Sequence, residues 1–322
     1  MIRRELPTVN NVNILFLIVG ILLLVVGASA QRYNLYSGIL ITEYLLILLP
    51  NIAFLKFKKF SLKKVLKLNR LSLKQMIFIF FIMLFAYPVA VFLNFIMLAM
   101  VTSISEAMPI GVPIPDNFTD YILGLFVVAI TPGICEEVMF RGTLQNAYSK
   151  FGEKKGLIIT SILFGIFHFN LLNLLGPIFL GIVLGIILIK TNSLYGSILG
   201  HILNNGFAMT IGYLLLKLTK NLELLTKDVP LIDNSIQMVL TAVILASLAL
   251  FSFIGLYILL KNLPVTKSEE LDILEENEDL DLMKDEIVSF EETIEINERI
   301  MWSPIVIIAG IFIYSNWIYF FY

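Results

Sequence analysis

Long apolar stretches separated by short polar breaks run the length of the chain. A helix needs about 20 mainly apolar residues to cross the ~30 Å hydrocarbon layer. That length criterion predicts nine candidate spans, near 12–30, 37–57, 75–101, 119–140, 156–170, 174–190, 194–217, 236–261 and 301–322. The fifth and sixth are short, which suits either a tilted pair or helices whose polar residues face a cavity. A membrane β-barrel would instead show segments of alternating polarity. Runs such as Ile77 to Ala86 and Met238 to Leu250 are apolar without alternation. The pattern therefore predicts an all-α polytopic transmembrane bundle of about eight to nine spans. No internal repeat is evident, so the inverted-repeat signature of many transporters is missing.

Composition strengthens this reading. Hydrophobic residues make up 58% of the chain and charged residues 15%, against ~45–50% and ~25% in soluble domains. The mean hydropathy is +0.89. A net charge of -2 gives no case for nucleic-acid binding, and the single cysteine, Cys135, allows no internal disulfide. Met1 to Arg4 is basic and Asn13 to Ala28 apolar, but that run is long and more spans follow, so a cleaved leader is not expected.

Charge also sets an orientation. The loop from Lys56 to Lys74 carries eight lysines and arginines and no acid. Arg3, Arg4, Lys150, Lys154 and Lys155 fall on the same side, whereas Glu106, Asp116, Glu223, Asp228 and Asp233 fall opposite. Basic loops stay in the cytoplasm, which predicts a cytoplasmic N-terminus and an outside C-terminus. Between Glu269 and Glu298 lie fourteen acids and one lysine, the composition of a solvated linker or surface helix. The expected organisation is a three-span region (1–118), a core (119–217), a further span (218–264), an acidic linker (265–300) and a final span (301–322).

Ionisable residues inside spans cost ~2.5 kcal/mol or more each and are functional suspects by default. Here they are few: Glu43, Glu136, Glu137, Arg141, His168 and His201. Both histidines of the chain lie in the predicted spans. Residues at i and i+4 share a helix face, so Glu137 and Arg141 are spaced as an ion pair, and His201 with Asn205 and Phe164 with His168 share faces. Glu136 points about 100° away from its neighbour and lacks that cation. If the fourth and fifth spans form an antiparallel hairpin turning at Gly152, Glu136 lies sixteen residues before the turn and His168 sixteen after it. Both then sit about 20 Å from the turn. His201 and Asn205 reach a comparable depth, at or cytoplasmic of the midplane. Glu43 is left to snorkel, to pair with Arg141 or to line the cavity, a structural role being favoured.

Peptide hydrolysis needs an activated water, a stabilised oxyanion and a proton for the leaving amine. An unpaired buried carboxylate such as Glu136 suits the base, with His168 sharing the water. His201 and Asn205 can donate to one oxygen as an oxyanion hole does. No G-x-S-x-G, Ser-Lys pair or H-E-x-x-H appears, and Cys135 reads as helix packing. No cofactor is expected. The alternative is a zinc ion held by Glu136, His168 and His201. The rival functions are a transporter or proton relay, whose intramembrane Glu and His would also be costly, and a non-catalytic immunity or scaffold protein.

Glu136-Glu137-x-x-x-Arg141, Phe164-x-x-x-His168 and His201-x-x-x-Asn205 resemble the three motifs of the type II CAAX prenyl endopeptidases, whose wider bacterial group comprises CAAX proteases and bacteriocin-processing enzymes (CPBP). The resemblance covers about Asp120 to Leu216. It implies an all-helical, metal-free intramembrane endopeptidase in which Glu136 and His168 activate water, His201 and Asn205 stabilise the oxyanion, and Glu137 with Arg141 completes the first motif. It further implies a membrane-associated protein or peptide substrate, through C-a-a-X-like processing, bacteriocin or peptide maturation, or self-immunity. The Ile-, Lys- and Asn-rich composition points to a bacterial plasma membrane. The expected partners are that substrate and the lipid bilayer, with no nucleic acid; the oligomeric state is not fixed by the sequence. Asn170 and Asn173 are expected to cap a turn, Trp302, Trp317 and Tyr319 to anchor at the interface, and Gly181 with Gly185 to serve intramolecular helix packing.

Overall fold

The structure, a computed structural model, describes residues 6–103, 105, 114–223, 234–266 and 301–321. Arg3, Arg4 and residues 267–300 of the acidic stretch lie outside the described residues, as do Glu106, Asp228 and Asp233. The described chain is all helix: α1 (Val9–Tyr33), α2 (Leu35–Phe57), α3 (Leu73–Thr102), α4 (Phe118–Phe151), α5 (Glu153–Ile166), α6 (Leu175–Thr191), α7 (Leu194–Glu223), α8 (Asn234–Asn262) and α9 (Ser303–Phe321). No strand occurs among the described residues. Polar side chains start several of these helices by capping orphan backbone N–H groups. Thr8 accepts from Asn11 N, Asn34 from Ser37 N and Asn117 from Asp120 N. Ser72 and Gln75 form a reciprocal capping box at α3.

Eight helices among the described residues are long and apolar enough to cross a membrane. Eight agrees with the expected eight to nine spans, and the candidate that falls short is the fifth. Residues 156–170 are not long enough by that measure, because α5 has 14 residues, about 21 Å of helix against ~30 Å of hydrocarbon. It stops at Ile166, and Phe169 then takes a left-handed backbone (φ 49°). Asn316 of α9 secures the turn, accepting from Leu171 N (2.7 Å) and donating to the Phe169 carbonyl (3.3 Å). The chain returns along α6, so α5 and α6 form an antiparallel hairpin. Gly181 lies where these helices touch: a Cβ there would meet the Ser161 Cα at 2.9 Å. At Gly185 an added Cβ would meet Leu157 and Gln145. Both glycines thus serve packing inside the chain, as expected.

The turn at Gly152 matches the spacing argument. Gly152 has φ 95°, in the region glycine enters at little cost, and α4 continues beyond Arg141 to Phe151. α4 is 34 residues long and runs through the middle of the molecule, contacting α2 on one side and α7 on the other. α3 packs against α6, α7 and α8, and α9 packs against α1. One buried cluster joins α1, α2, α4, α5 and α9 through Phe16, Ile47, Phe140, Phe164 and Ile308. A second joins α3, α6 and α8 through Ile82, Leu184 and Leu256. Outward residues such as Leu250, Phe251 and Val306 are large, apolar and exposed, as a lipid-facing surface requires.

One end of the bundle carries the basic loop. Leu194 N donates to Lys67 O, Asn69 Nδ2 to Asn192 O and Thr266 N to Lys190 O. Met301 N donates to Asn10 Oδ1, and Trp302 packs on Tyr148 and Phe151. Residues 58–72, 152, 192–193, 266 and 301 therefore share one face. Burial there lowers the Lys67 amine from the ordinary lysine value, partly offset by Glu153.

Candidate active site

Four helices bring the polar residues together. Glu136 and Glu137 lie in the middle of α4, His201 and Asn205 on α7, Glu43 on α2, and His168 in the turn after α5. Several of these positions adjoin or lie within π-helical stretches: residues 41–48 contain Glu43, while 138–145 follow the two glutamates and contain Arg141. A third such stretch, 125–130, precedes them. Wider i→i+5 turns of this kind concentrate at functional sites.

Glu137 and Arg141 form the predicted ion pair, with Nη1 2.7 Å from Oε1 and both side chains almost completely buried. Arg141 also lies over the Phe164 ring, 4.3 Å from its centroid, a favourable cation–π position. The same Phe164 meets His168 and His201 edge-on, with ring centroids 5.2 and 5.8 Å away. The second-motif phenylalanine thus fills the space between the ion pair and both imidazoles.

A contact that the sequence reading missed links the first and third motifs. His201 Nδ1 lies 2.8 Å from Glu137 Oε1, the oxygen that holds Arg141. Glu137 is therefore the partner of two residues, not of Arg141 alone. An ionised carboxylate only accepts hydrogen bonds, so Nδ1 carries the hydrogen and Nε2 faces the other way. His201 Nε2 is 3.8 Å from Glu136 Oε2, too long for a hydrogen bond. His168 is fixed similarly: its Nδ1 lies 2.9 Å from the Phe164 carbonyl, which leaves Nε2 as the acceptor. His168 was expected within a helical span and instead sits just past the end of α5, because its own ring takes the i−4 carbonyl where the helix stops.

Glu136, His168, His201 and Asn205 all line one cavity of about 590 Å³. Glu136 Oε2 is buried without a hydrogen-bond partner. Asn205 is held by Val128, whose carbonyl accepts from Nδ2 (3.0 Å), and by Asn204, whose Nδ2 donates to Asn205 Oδ1 (3.0 Å). Asn205 thus spends one amide hydrogen on the backbone of α4 and keeps a second. Tyr87, Asn94, Asn173 and Asn204 add polar groups to a wall otherwise formed by residues such as Leu180, Leu184 and Met209. Asn173 accepts from Asn94 Nδ2 (2.9 Å), so it braces α3 against the α5–α6 turn, while Asn170 caps that turn as expected.

Glu43 lines the cavity and does not pair with Arg141, whose carboxylate partner is Glu137. It is 6% exposed, with Oε2 unpartnered. The sequence left lining the cavity as one of three options, because Glu43 has no partner at helical spacing on its own helix. Cys135 is buried in the core behind the site. Among the described residues, no three His, Cys, Asp or Glu side chains converge as metal ligands would.

The comparisons with known proteins bear on this region. Residues 118–207 match a family model described as type II CAAX prenyl endopeptidase, Rce1-like. The matched segment begins at α4 and ends two residues after Asn205, so it holds all three motifs. No curated protein and no solved structure matches the chain. Residues 118–207 are thus similar to that endopeptidase family, within an all-helical, multi-pass membrane fold.

Proposed function

We propose that this chain is an intramembrane endopeptidase in which Glu136 activates a water against the peptide bond of a membrane-associated protein or peptide. The observation that carries the reading is the shared cavity. A carboxylate whose Oε2 makes no hydrogen bond, two imidazoles with Nε2 turned away from their Nδ1 partners and an anchored asparagine amide face one space, inside a segment that matches a protease family.

The steps follow from donors and acceptors. Glu136 takes a proton from water, with His168 Nε2 holding the second hydrogen. The water oxygen bonds to the scissile carbonyl carbon, and the carbonyl oxygen becomes an oxyanion. His201 and Asn205 donate to it. With Nδ1–H turned to Glu137, His201 can donate through Nε2 only as the imidazolium. That charge state balances the cluster, Arg141 and His201 against Glu136 and Glu137. Such preorganised donors are worth about 10²–10³ in rate each. The C–N bond then breaks, and Glu136 passes its proton to the departing amine. No metal is needed for these steps, so the cofactor-free reading is kept.

Expected substrates are bacterial membrane peptides or proteins, in maturation, signalling or self-immunity. The test compares new protein N-termini in membranes of cells expressing wild type or Glu136→Ala. A set of cleavages present only with wild type is expected, and equally absent with His168→Ala or His201→Ala in protein that still inserts. Identical N-termini in wild type and Glu136→Ala would sink the assignment. Loss of wild-type cleavage on chelation, restored by zinc, would transfer it to the metal mechanism.

A further inference from the structure

Glu43 is the charge that the proposed mechanism does not use. The four buried groups of the motifs balance one another, two cations against two anions. Glu43 adds a fifth ionisable group, 6% exposed, with Oε2 lacking any hydrogen-bond partner. A carboxylate inside a membrane span is expensive unless something compensates it, and Arg141 is already committed to Glu137. Among the described residues, neither cavity that Glu43 lines has a lysine or arginine in its wall.

The second of those cavities, of about 250 Å³, meets the large one at Gln31, Glu43, Glu136 and His168. It runs between α1 and α2, away from α7. Its sides are apolar, formed by Leu23, Leu24, Ile47 and Phe167. Beyond Glu136 and His168 at the junction, its polar residues are Glu43, Thr42 and Gln31, the last with its amide nitrogen donating to Thr42 Oγ1 (3.1 Å). An apolar sleeve leading past an unpaired carboxylate fits a methylene chain that ends in a cation. Lysine and arginine side chains have that build, with an apolar stem and a charged head.

We infer that this smaller cavity is a substrate subsite for a lysine or arginine side chain next to the scissile bond, with Glu43 as its counter-ion. The inference rests on the endopeptidase reading above. The peptide passes Glu136 and His168 at the junction of the two cavities. Its basic side chain turns into the smaller one, and the remainder of the peptide lies in the larger. The basic residue therefore falls within two positions of the cleaved bond.

The test uses full-length enzyme in lipid vesicles and synthetic peptides spanning cleavage sites lost in Glu136→Ala membranes. Each basic residue near the scissile bond is replaced by norleucine, which keeps the stem and removes the charge. For wild type, kcat/KM is expected to fall about tenfold or more at one position, as loss of a charged hydrogen bond implies. In Glu43→Gln the ratio between the lysine and norleucine peptides should collapse toward one, and Glu43→Asp should retain part of it. Wild-type cleavage sites with no basic residue within two positions would overturn the subsite and leave the endopeptidase reading standing. So would an unchanged lysine-to-norleucine ratio in Glu43→Gln. Equal loss of every peptide in Glu43→Gln would assign Glu43 to the chemistry and overturn it as well. Absence of any cleavage that depends on Glu136 would remove both readings together.

Discussion

The two adjacent glutamates differ in what surrounds them, and this gives them unequal effects on stability. Glu137 is buried and bonded to both Arg141 and His201. Removing one partner of a buried ion pair strands the other, at about 3–5 kcal/mol. Arg141→Ala should therefore lower the thermal midpoint of the detergent-solubilised protein markedly, and Glu137→Ala should do the same. Glu136 faces the cavity with Oε2 unpartnered. Glu136→Gln removes a charge that makes no hydrogen bond to His201, from which it is 3.8 Å away, so its midpoint should fall far less than that of Arg141→Ala while turnover disappears. Scanning fluorimetry beside the cleavage assay checks both. A Glu136→Gln protein as unstable as Arg141→Ala would mean that Glu136 is structural. The i,i+4 spacing made the Glu137–Arg141 pair readable in the sequence, because helical geometry alone sets it. The Glu137–His201 bond was not readable, because no spacing rule relates two residues on helices that meet only in the fold. For the same reason the sequence left Glu43 between snorkelling, pairing with Arg141 and lining the cavity, and only the fold selects the last.

At the level of elements, the hairpin of α5 and α6 depends on a helix outside the matched domain. The turn that holds His168 is gripped by Asn316 of α9, through the Leu171 N–H and the Phe169 carbonyl. Asn316 is buried. Asn316→Leu leaves those two backbone groups without their partner, a cost of about 1–3 kcal/mol. The expected result is a lower melting temperature and a loss of kcat larger than any change in KM, since His168 is displaced while the large cavity keeps its walls. Unchanged kcat in a destabilised Asn316→Leu protein would show that the turn positions nothing catalytic. This arrangement also explains why the fifth candidate was carried to residue 170, past the helix end at Ile166. Phe167 and Phe169 continue the apolar run, and a phenylalanine at φ 49° carries no local signal for a left-handed bend. The bend is imposed by a side chain far away in sequence. The π-helical stretches were equally hidden, since an extra residue per turn leaves no mark on an apolar pattern. By contrast, the hairpin at Gly152 was legible, because a glycine between two apolar runs marks a turn.

For the whole molecule, the two faces of the bundle differ in charge and in access. The face with residues 58–72 and Lys154 is the basic one, and basic loops remain cytoplasmic. The large cavity leads the other way. Besides the site residues it is lined by Asn94, Ile114, Pro115, Ala208 and Gly212. Gly212 lies eighteen residues beyond the start of α7 at Leu194, about 27 Å along it, and Ile114 and Pro115 precede the start of α4 on the face opposite the basic loop. A peptide entering this cavity therefore approaches from the non-basic side, or laterally from that leaflet. Cysteine labelling can measure this directly, because the native Cys135 is buried and silent to a membrane-impermeant maleimide. Ser61→Cys and Lys154→Cys should react only in inside-out vesicles. Asp116→Cys should react in intact cells, and so should Ala208→Cys, an exposed position in the cavity wall. Reaction of Ala208→Cys together with Ser61→Cys would place the entrance on the cytoplasmic side and require a cytoplasmic substrate. Reaction with Asp116→Cys restricts the substrate to segments that are outside the cell or embedded in the outer leaflet when they are cut.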